Sequence, residues 1–225
     1  MKVLAFTASK NRPFLLRHCV MQMRLQTYPV MHGIFLNSDS GEIEDFDYTD
    51  LLSDIPFDDK HQIKLYGEKS RSQHQNHMLA IKQVPNWEDY DLFVKIDDDD
   101  IYRTHYIESI VESYKTNKWD FSGTVANGVL NGNKWDLKQT IEDLRDRTEP
   151  ETAERPYIMP PTFAFSRKAI QLLMELDDIE GWEDPVWFDT LTRNPDITVH
   201  KREQSHFSLH IHGNNVSTSH HFKSN

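Results

Sequence analysis

The chain has a single cysteine, Cys19, among 225 residues. A disulfide framework and a cysteine-rich zinc site are therefore excluded. No stretch approaches the roughly 18 apolar residues that a spanning helix needs, so no membrane span is expected. The opening residues, MKVLAF, read as a strand. They are too short for a signal-peptide core and lack a small-residue cleavage site, so no leader is expected. Together these absences point to a soluble protein in the reducing cytoplasm. Also missing are GxGxxG and GxxxxGK followed by Ser or Thr, so neither a dinucleotide fingerprint nor a P-loop is present. Positive charge is in short supply: 25 Lys and Arg stand against 36 Asp and Glu, a net charge of −11. That balance argues against a nucleic-acid polymer or an anionic membrane as partner.

What is present is clustered. Residues 39–59 hold nine carboxylates and no Lys or Arg, residues 88–100 hold seven against Lys95 alone, and residues 175–189 hold seven with no basic residue. Six of the twelve histidines fall between His200 and His221. Blocks of like charge are usually solvated faces, and each cluster has to be weighed against that reading.

No repeat, low-complexity tract or linker divides the chain, so one domain over 1–225 is expected, within the usual range for a core of this size. The pattern predicts strands at 2–8, 30–36, 62–66, 91–96 and 121–125. Helices are expected between them, over 70–84 and 102–114 and after Asn11, which is placed to cap a helix with Pro13 in its first turn. This alternation favours an α/β fold with a mostly parallel central sheet flanked by helices. The later half reads as a short helix near 139–147 and an edge or bent strand at 157–165, interrupted by Pro160 and Pro161. It continues with a helix capped by Ser166, a helix from Asp184 to about Arg193, short strands at 197–200 and 207–212, and a mobile polar tail at 213–225.

Four constellations carry chemistry. Asp97, Asp98, Asp99 and Asp100 follow directly on an apolar strand. Ligands in open α/β sheets bind beyond such strand ends. Four adjacent carboxylates repel one another, so they are either solvated or hold a cation, and Mg²⁺ or Mn²⁺ suits hard oxygen donors. Alternation sets Asp97 and Asp99 apart from Asp98 and Asp100. In the second, Gly181-Trp182-Glu183-Asp184-Pro185-Val186-Trp187, Asp184 is either an ordinary helix cap or a base beside aromatic surfaces that sugars stack on. In the third, 206–215, His206, Ser208, His210 and His212 share one face of a strand, either as its polar side or as partners of a metal held by the aspartates. The fourth is the turn 7–13, where Lys10 and Arg12 at a helix start can meet a phosphate or simply close the loop. Asp39, after the second strand, is placed to accept from a ribose or base, and Arg71 to meet phosphate.

Taken in order, these residues resemble the GT-A glycosyltransferases, most closely the family 2 type. The matching motifs are Thr7 with Asn11-Arg12-Pro13, Gln26-Thr27-Tyr28-Pro29, Asp39, a DxD-like run at 97–100, Gly181-Trp182-Glu183-Asp184 and a late histidine. The resemblance covers nearly the whole chain and implies a nucleotide-binding half over 1–126 and an acceptor-side half over 127–212. It implies nucleotide-sugar contacts from Thr7, Lys10, Arg12, Asp39, Arg71, Asp97, Asp98 and Trp182. It implies metal contacts from Asp99, Asp97 and Asp100 with His212 or His210. Asp184 becomes the general base, Glu183 orients hydroxyls, and Trp182 and Trp187 shape the sugar pocket. The implied reaction moves one sugar from a nucleotide-diphosphate sugar, a UDP-sugar by family frequency, to a glycan or other hydroxyl acceptor, with Mn²⁺ or Mg²⁺ and inversion. Two departures stand out: residues 73–81 are unusually rich in histidine, and the Gln-x-x-Arg-Trp motif of processive synthases is absent. Three other readings use the same residues: a metal-dependent nucleotidyltransferase or phosphohydrolase, a non-catalytic sugar-binding module, and a retaining transferase.

Overall fold

The computed structural model describes residues 1–38, 61–69, 72–131, 134–136, 156–203 and 206–211. Asp39, Arg71 and His212 lie outside the described residues. So do the acidic stretch 42–59, the expected helix at 139–147 and the tail 213–225.

The first strand, β1 (Val3–Lys10), is buried over most of its length, which is why its sequence is apolar almost without alternation. It turns into helix α1 (Pro13–Arg24) through Asn11, whose φ of 53° is left-handed. Asn11 therefore does not cap the helix as expected. Arg12 holds the cap position without a side-chain hydrogen bond, and Pro13 supplies the preset first turn. Strands β2 (Val30–Ser38) and β3 (His61–Lys69) follow, then helix α2 (Gln73–Lys82). The Ser72 hydroxyl caps α2 by accepting the Gln75 N–H at 3.1 Å. Gly33 on β2 lets α2 approach: a Cβ there would sit 2.2 Å from the Ala80 carbonyl oxygen.

Strand β4 (Leu92–Lys95) precedes a two-residue strand, β5 (Ile101–Tyr102). That strand takes residues the helical pattern had claimed, so helix α3 begins later and runs Tyr106–Asn117. Then come β6 (Phe121–Gly123), β7 (Val129–Asn131), β8 (Lys134–Asp136), and a single 3₁₀ turn over Pro160–Thr162. Strand β9 (Ala164–Ser166) leads into helix α4 (Arg167–Met174), capped by the Ser166 hydroxyl as expected. Helix α5 (Glu183–Thr192) and strands β10 (Val199–Lys201) and β11 (Phe207–Ile211) complete the order.

Seven strands form the main sheet in the order β10-β6-β9-β4-β1-β2-β3. All neighbours pair in parallel except β9, which is antiparallel to both β4 and β6. The expected mostly parallel sheet flanked by helices is thus present. The expectation of an edge or bent strand at 157–165 is corrected. The prolines sit in the turn before β9, so the paired segment keeps every N–H and fits inside the sheet. A second sheet, β5-β11-β7-β8, stands beside the ends of β4 and its neighbours. Strand alternation divides the core between the two faces of the main sheet. Leu4, Phe6, Phe93, Phe165 and Trp187 pack on one face, and Val3, Ala5, Cys19, Leu92 and Val94 on the other. Among the described residues no helix is long and apolar enough to cross a membrane.

Candidate active site

The carboxyl ends of β1, β2 and β4, with the starts of α2 and α5, enclose a cleft of about 420 Å³. Its wall includes Ser9, Lys10, Arg12, Asn37, Gln73, Asn76, Trp182 and six carboxylates: Asp97, Asp98, Asp99, Asp100, Glu183 and Asp184. Three segments far apart in sequence, around residues 10, 98 and 183, therefore meet as the expected constellations required.

The four aspartates form a turn with alternating burial. Asp98 and Asp100 are buried, whereas Asp97 and Asp99 keep part of their surface in the cleft. The Ser9 hydroxyl donates to Asp98 at 2.5 Å, and Arg12 Nη1 donates to Asp98 at 3.1 Å and Asp99 at 2.9 Å. Burial, together with Asp99, pushes the Asp98 carboxyl up to about 6 against the pull of Ser9 and Arg12. Asp100 accepts the His210 backbone N–H at 2.9 Å, which ties the turn to β11. Burial and the charges of Asp99 and Asp97 raise its carboxyl well above the carboxylate range. Asp98 and Asp100 thus serve as anchors of the turn. Both also line the cleft, so the nucleotide-sugar contact expected of Asp98 and the metal contact expected of Asp100 stay proposals beside this anchoring role.

Sequence reasoning left the aspartates either solvated or holding a cation. The structure places two protein cations against them, Arg12 on the outer side and Lys95 beneath. Lys95 ends β4, fully buried, with Nζ 3.0 Å from Asp97 Oδ1 and 3.0 Å from Asp184 Oδ1. Burial disfavours its charge, but Asp184, Asp97 and Glu183 together raise its pKa.

Asp184 and Glu183, adjacent in sequence, face different surroundings. The Asp184 side chain is 22% exposed and opens on the cleft. Burial, with Glu183 and Asp97 adding, pushes its carboxyl up to about 6 against Lys95. The Glu183 carboxylate is 1% exposed, and its Oε1 lies 3.2 Å from His77 Nδ1 on α2. Burial opposes its ionised form, but His77 and then Lys95 prevail and hold it down at about 2. Its carboxylate therefore faces α2 while the residue also lines the cleft, and the hydroxyl-orienting role expected of it stays a proposal. The histidine-rich segment 73–81 finds its reason here. His77 packs edge-on against Phe6 and Trp187, and His74 Nδ1 accepts the Trp187 indole N–H at 2.9 Å.

Two further expectations are corrected. Thr7 is fully buried, donating to the Ile96 carbonyl at 2.7 Å and contacting His32 at 2.8 Å, so it braces β1 against β4 below the cleft. Trp187 is fully buried in the core and shapes no pocket. Trp182, 49% exposed, does stand at the cleft. The residues that sequence reasoning missed are Lys95, Ser9, Asn37, Gln73, Asn76 and His77. Only Lys95 left a signal, as a lone cation ending an apolar run inside an acidic window.

Among the described residues no three His, Cys, Asp or Glu side chains converge on one point as a metal cage. The donor chemistry nevertheless suits a hard divalent ion that takes one or two carboxylates and completes its shell from phosphate. Asp99 and Asp97 present such oxygens in the cleft. His210 Nδ1 lies 3.1 Å from the Asp99 carbonyl. An Nδ1–H donated there leaves Nε2 as the ring's lone-pair atom, the arrangement typical of a ligating histidine.

No family model matches the sequence, and no curated protein matches it. Solved structures do. TarS 1-349 of S. aureus in complex with UDP-GlcNAc is 12% identical with a TM-score of 0.64, covering 96% of this chain and 60% of that one. The same fragment with UDP gives 0.65 at 12% identity, covering 94% and 61%. The mannosyltransferase PcManGT from Pyrobaculum calidifontis, in complex with GDP-Man and Mn²⁺, gives 0.63 at 13% identity, covering 89% and 54%. The chain thus shares the GT-A fold of these neighbours and spans 54–61% of their length.

Proposed function

We propose that the chain is a metal-dependent, inverting glycosyltransferase that moves one sugar from a nucleotide-diphosphate sugar to an acceptor hydroxyl. The carrying observation is Asp184: a cleft carboxylate at a helix start, raised to about 6, across Lys95 from the aspartate turn. Neighbours of the same fold that bind UDP-GlcNAc, or GDP-Man with Mn²⁺, support the donor class, with UDP as the default nucleotide.

In this reading Arg12 and Lys10 attract the donor diphosphate, and Trp182 offers the sugar a flat apolar face. Asp99 and Asp97, with His210 alongside, would hold Mn²⁺ or Mg²⁺, and the ion would supply positive charge to offset that of the diphosphate. Asp184 takes the proton of the acceptor hydroxyl. The acceptor oxygen bonds to the anomeric carbon from the opposite face as the bond to the leaving phosphate oxygen breaks, so the configuration inverts. A base with a pKa near 6 is largely ionised at neutral pH yet basic enough to take the proton. The test is Asp184→Asn: nucleotide binding persists and transfer falls by roughly 10²–10⁴-fold. Near-normal turnover sinks the base assignment.

A further inference from the structure

Lys95 stands where strand alternation calls for an apolar residue. Its side chain points to the face packed by Phe6, Phe93, Phe165 and Trp187, and it is 0% exposed. Burying an ammonium is costly unless it is paired, and a methionine or leucine of similar volume would fill the space without that cost. What the lysine adds is position. Its Nζ lies 3.0 Å from Asp97 Oδ1 and 3.4 Å from Oδ2, and 3.0 Å from Asp184 Oδ1 and 3.3 Å from Oδ2. One buried nitrogen thus grips both oxygens of two carboxylates that are 87 positions apart in the chain. Both remain partly exposed, 25% for Asp97 and 22% for Asp184, so each is held from behind with an edge left to the cleft. The nitrogen itself moves little, because the Lys95 backbone N–H is bonded to the Phe163 carbonyl at 3.0 Å and β4 is paired on both sides.

We infer that Lys95 is a positioning residue that sets the Asp184 carboxylate at a fixed offset from the Asp97 turn, registering the acceptor side of the cleft to the donor side. The inference rests on the reading of Asp184 as base. A misplacement of about 1 Å at a reacting group can cost on the order of 100-fold in rate. Lys95 touches neither substrate, so its loss acts chiefly on turnover and reaches donor binding only through the loosened Asp97.

The experiment compares wild type, Lys95→Met, Asp184→Asn and the double variant in transfer assays with a nucleotide sugar that the wild type turns over. For Lys95→Met, kcat is expected to fall about 100-fold while the donor KM changes by less than about threefold. The double variant is expected to be no slower than Asp184→Asn alone, because Lys95 acts through Asp184. A residue that only supported the fold would multiply the two losses. Should Lys95→Met melt below the assay temperature, Lys95→Gln, which keeps a hydrogen-bond donor, carries the same comparison. With Asp184→Asn inactive, either normal kcat in the Lys95 variants or multiplicative losses in the double variant overturns the inference alone. Normal turnover by Asp184→Asn overturns the base reading and the inference with it.

Discussion

Two neighbouring carboxylates, Glu183 and Asp184, are driven in opposite directions by what they face. His77 and Lys95 hold Glu183 low, whereas burial, Glu183 and Asp97 raise Asp184 against Lys95. The pH consequences differ in sign. In the folded protein Asp184 binds its proton more tightly than an ordinary aspartate, so its contribution to stability falls as pH rises from about 4 to 6. Glu183 contributes stability above the ordinary glutamate range, and that is lost as pH falls through about 2. Transfer activity is expected to rise through a midpoint near pH 6 as Asp184 ionises, which a pH profile of kcat/KM checks. Glu183→Ala is expected to cost about 1–3 kcal/mol of stability in denaturant titration, with nucleotide binding little changed, because a buried His77 loses its partner. At this scale the sequence was only partly legible. Asp184, Asp99 and Trp182 announce themselves by motif and lie on the cleft. Thr7 and Trp187 carry the same motif signals yet lie in the core, because a motif fixes a residue's place along the chain and not the direction of its side chain.

The cleft exists because particular elements come close at particular residues. Gly33 lets α2 lie against β2 and carries Gln73, Asn76 and His77 to the site. Gly33→Ala drives a methyl group into the Ala80 carbonyl and is expected to destabilise the fold by about 1–3 kcal/mol, read by thermal melting. Ser166→Ala, at the cap of α4 and far from the cleft, is expected to cost about 1 kcal/mol without changing nucleotide binding. Strand and helix periodicity made the order of the main-sheet strands readable through β6. The misreadings came where tertiary pairing overrode local pattern. Ile101–Tyr102 pairs with β11 rather than starting a helix, and β9 enters the sheet because its prolines fall just outside the paired residues.

For the molecule as a whole, the acidity is partly an internal arrangement. Of three acidic windows, two contribute carboxylates to one cleft, where Lys95 and Arg12 already neutralise part of the charge. Under the proposed function, a negatively charged donor entering that cleft would meet Lys10 and Arg12 and would need a divalent ion for the remaining repulsion. Asp99→Asn is therefore expected to weaken nucleotide binding in Mn²⁺ more than in its absence, which calorimetry measures. The most direct measurement of the central claim is a melting-temperature panel of UDP- and GDP-sugars with Mn²⁺ or Mg²⁺. A donor present at 100 times its Kd stabilises the fold by about 2.7 kcal/mol, which for a chain of this size raises Tm by roughly 5–10 °C. Tm is expected to rise in this way with at least one nucleotide sugar, and to rise less in Asp99→Asn. No rise with any member of the panel would contradict it.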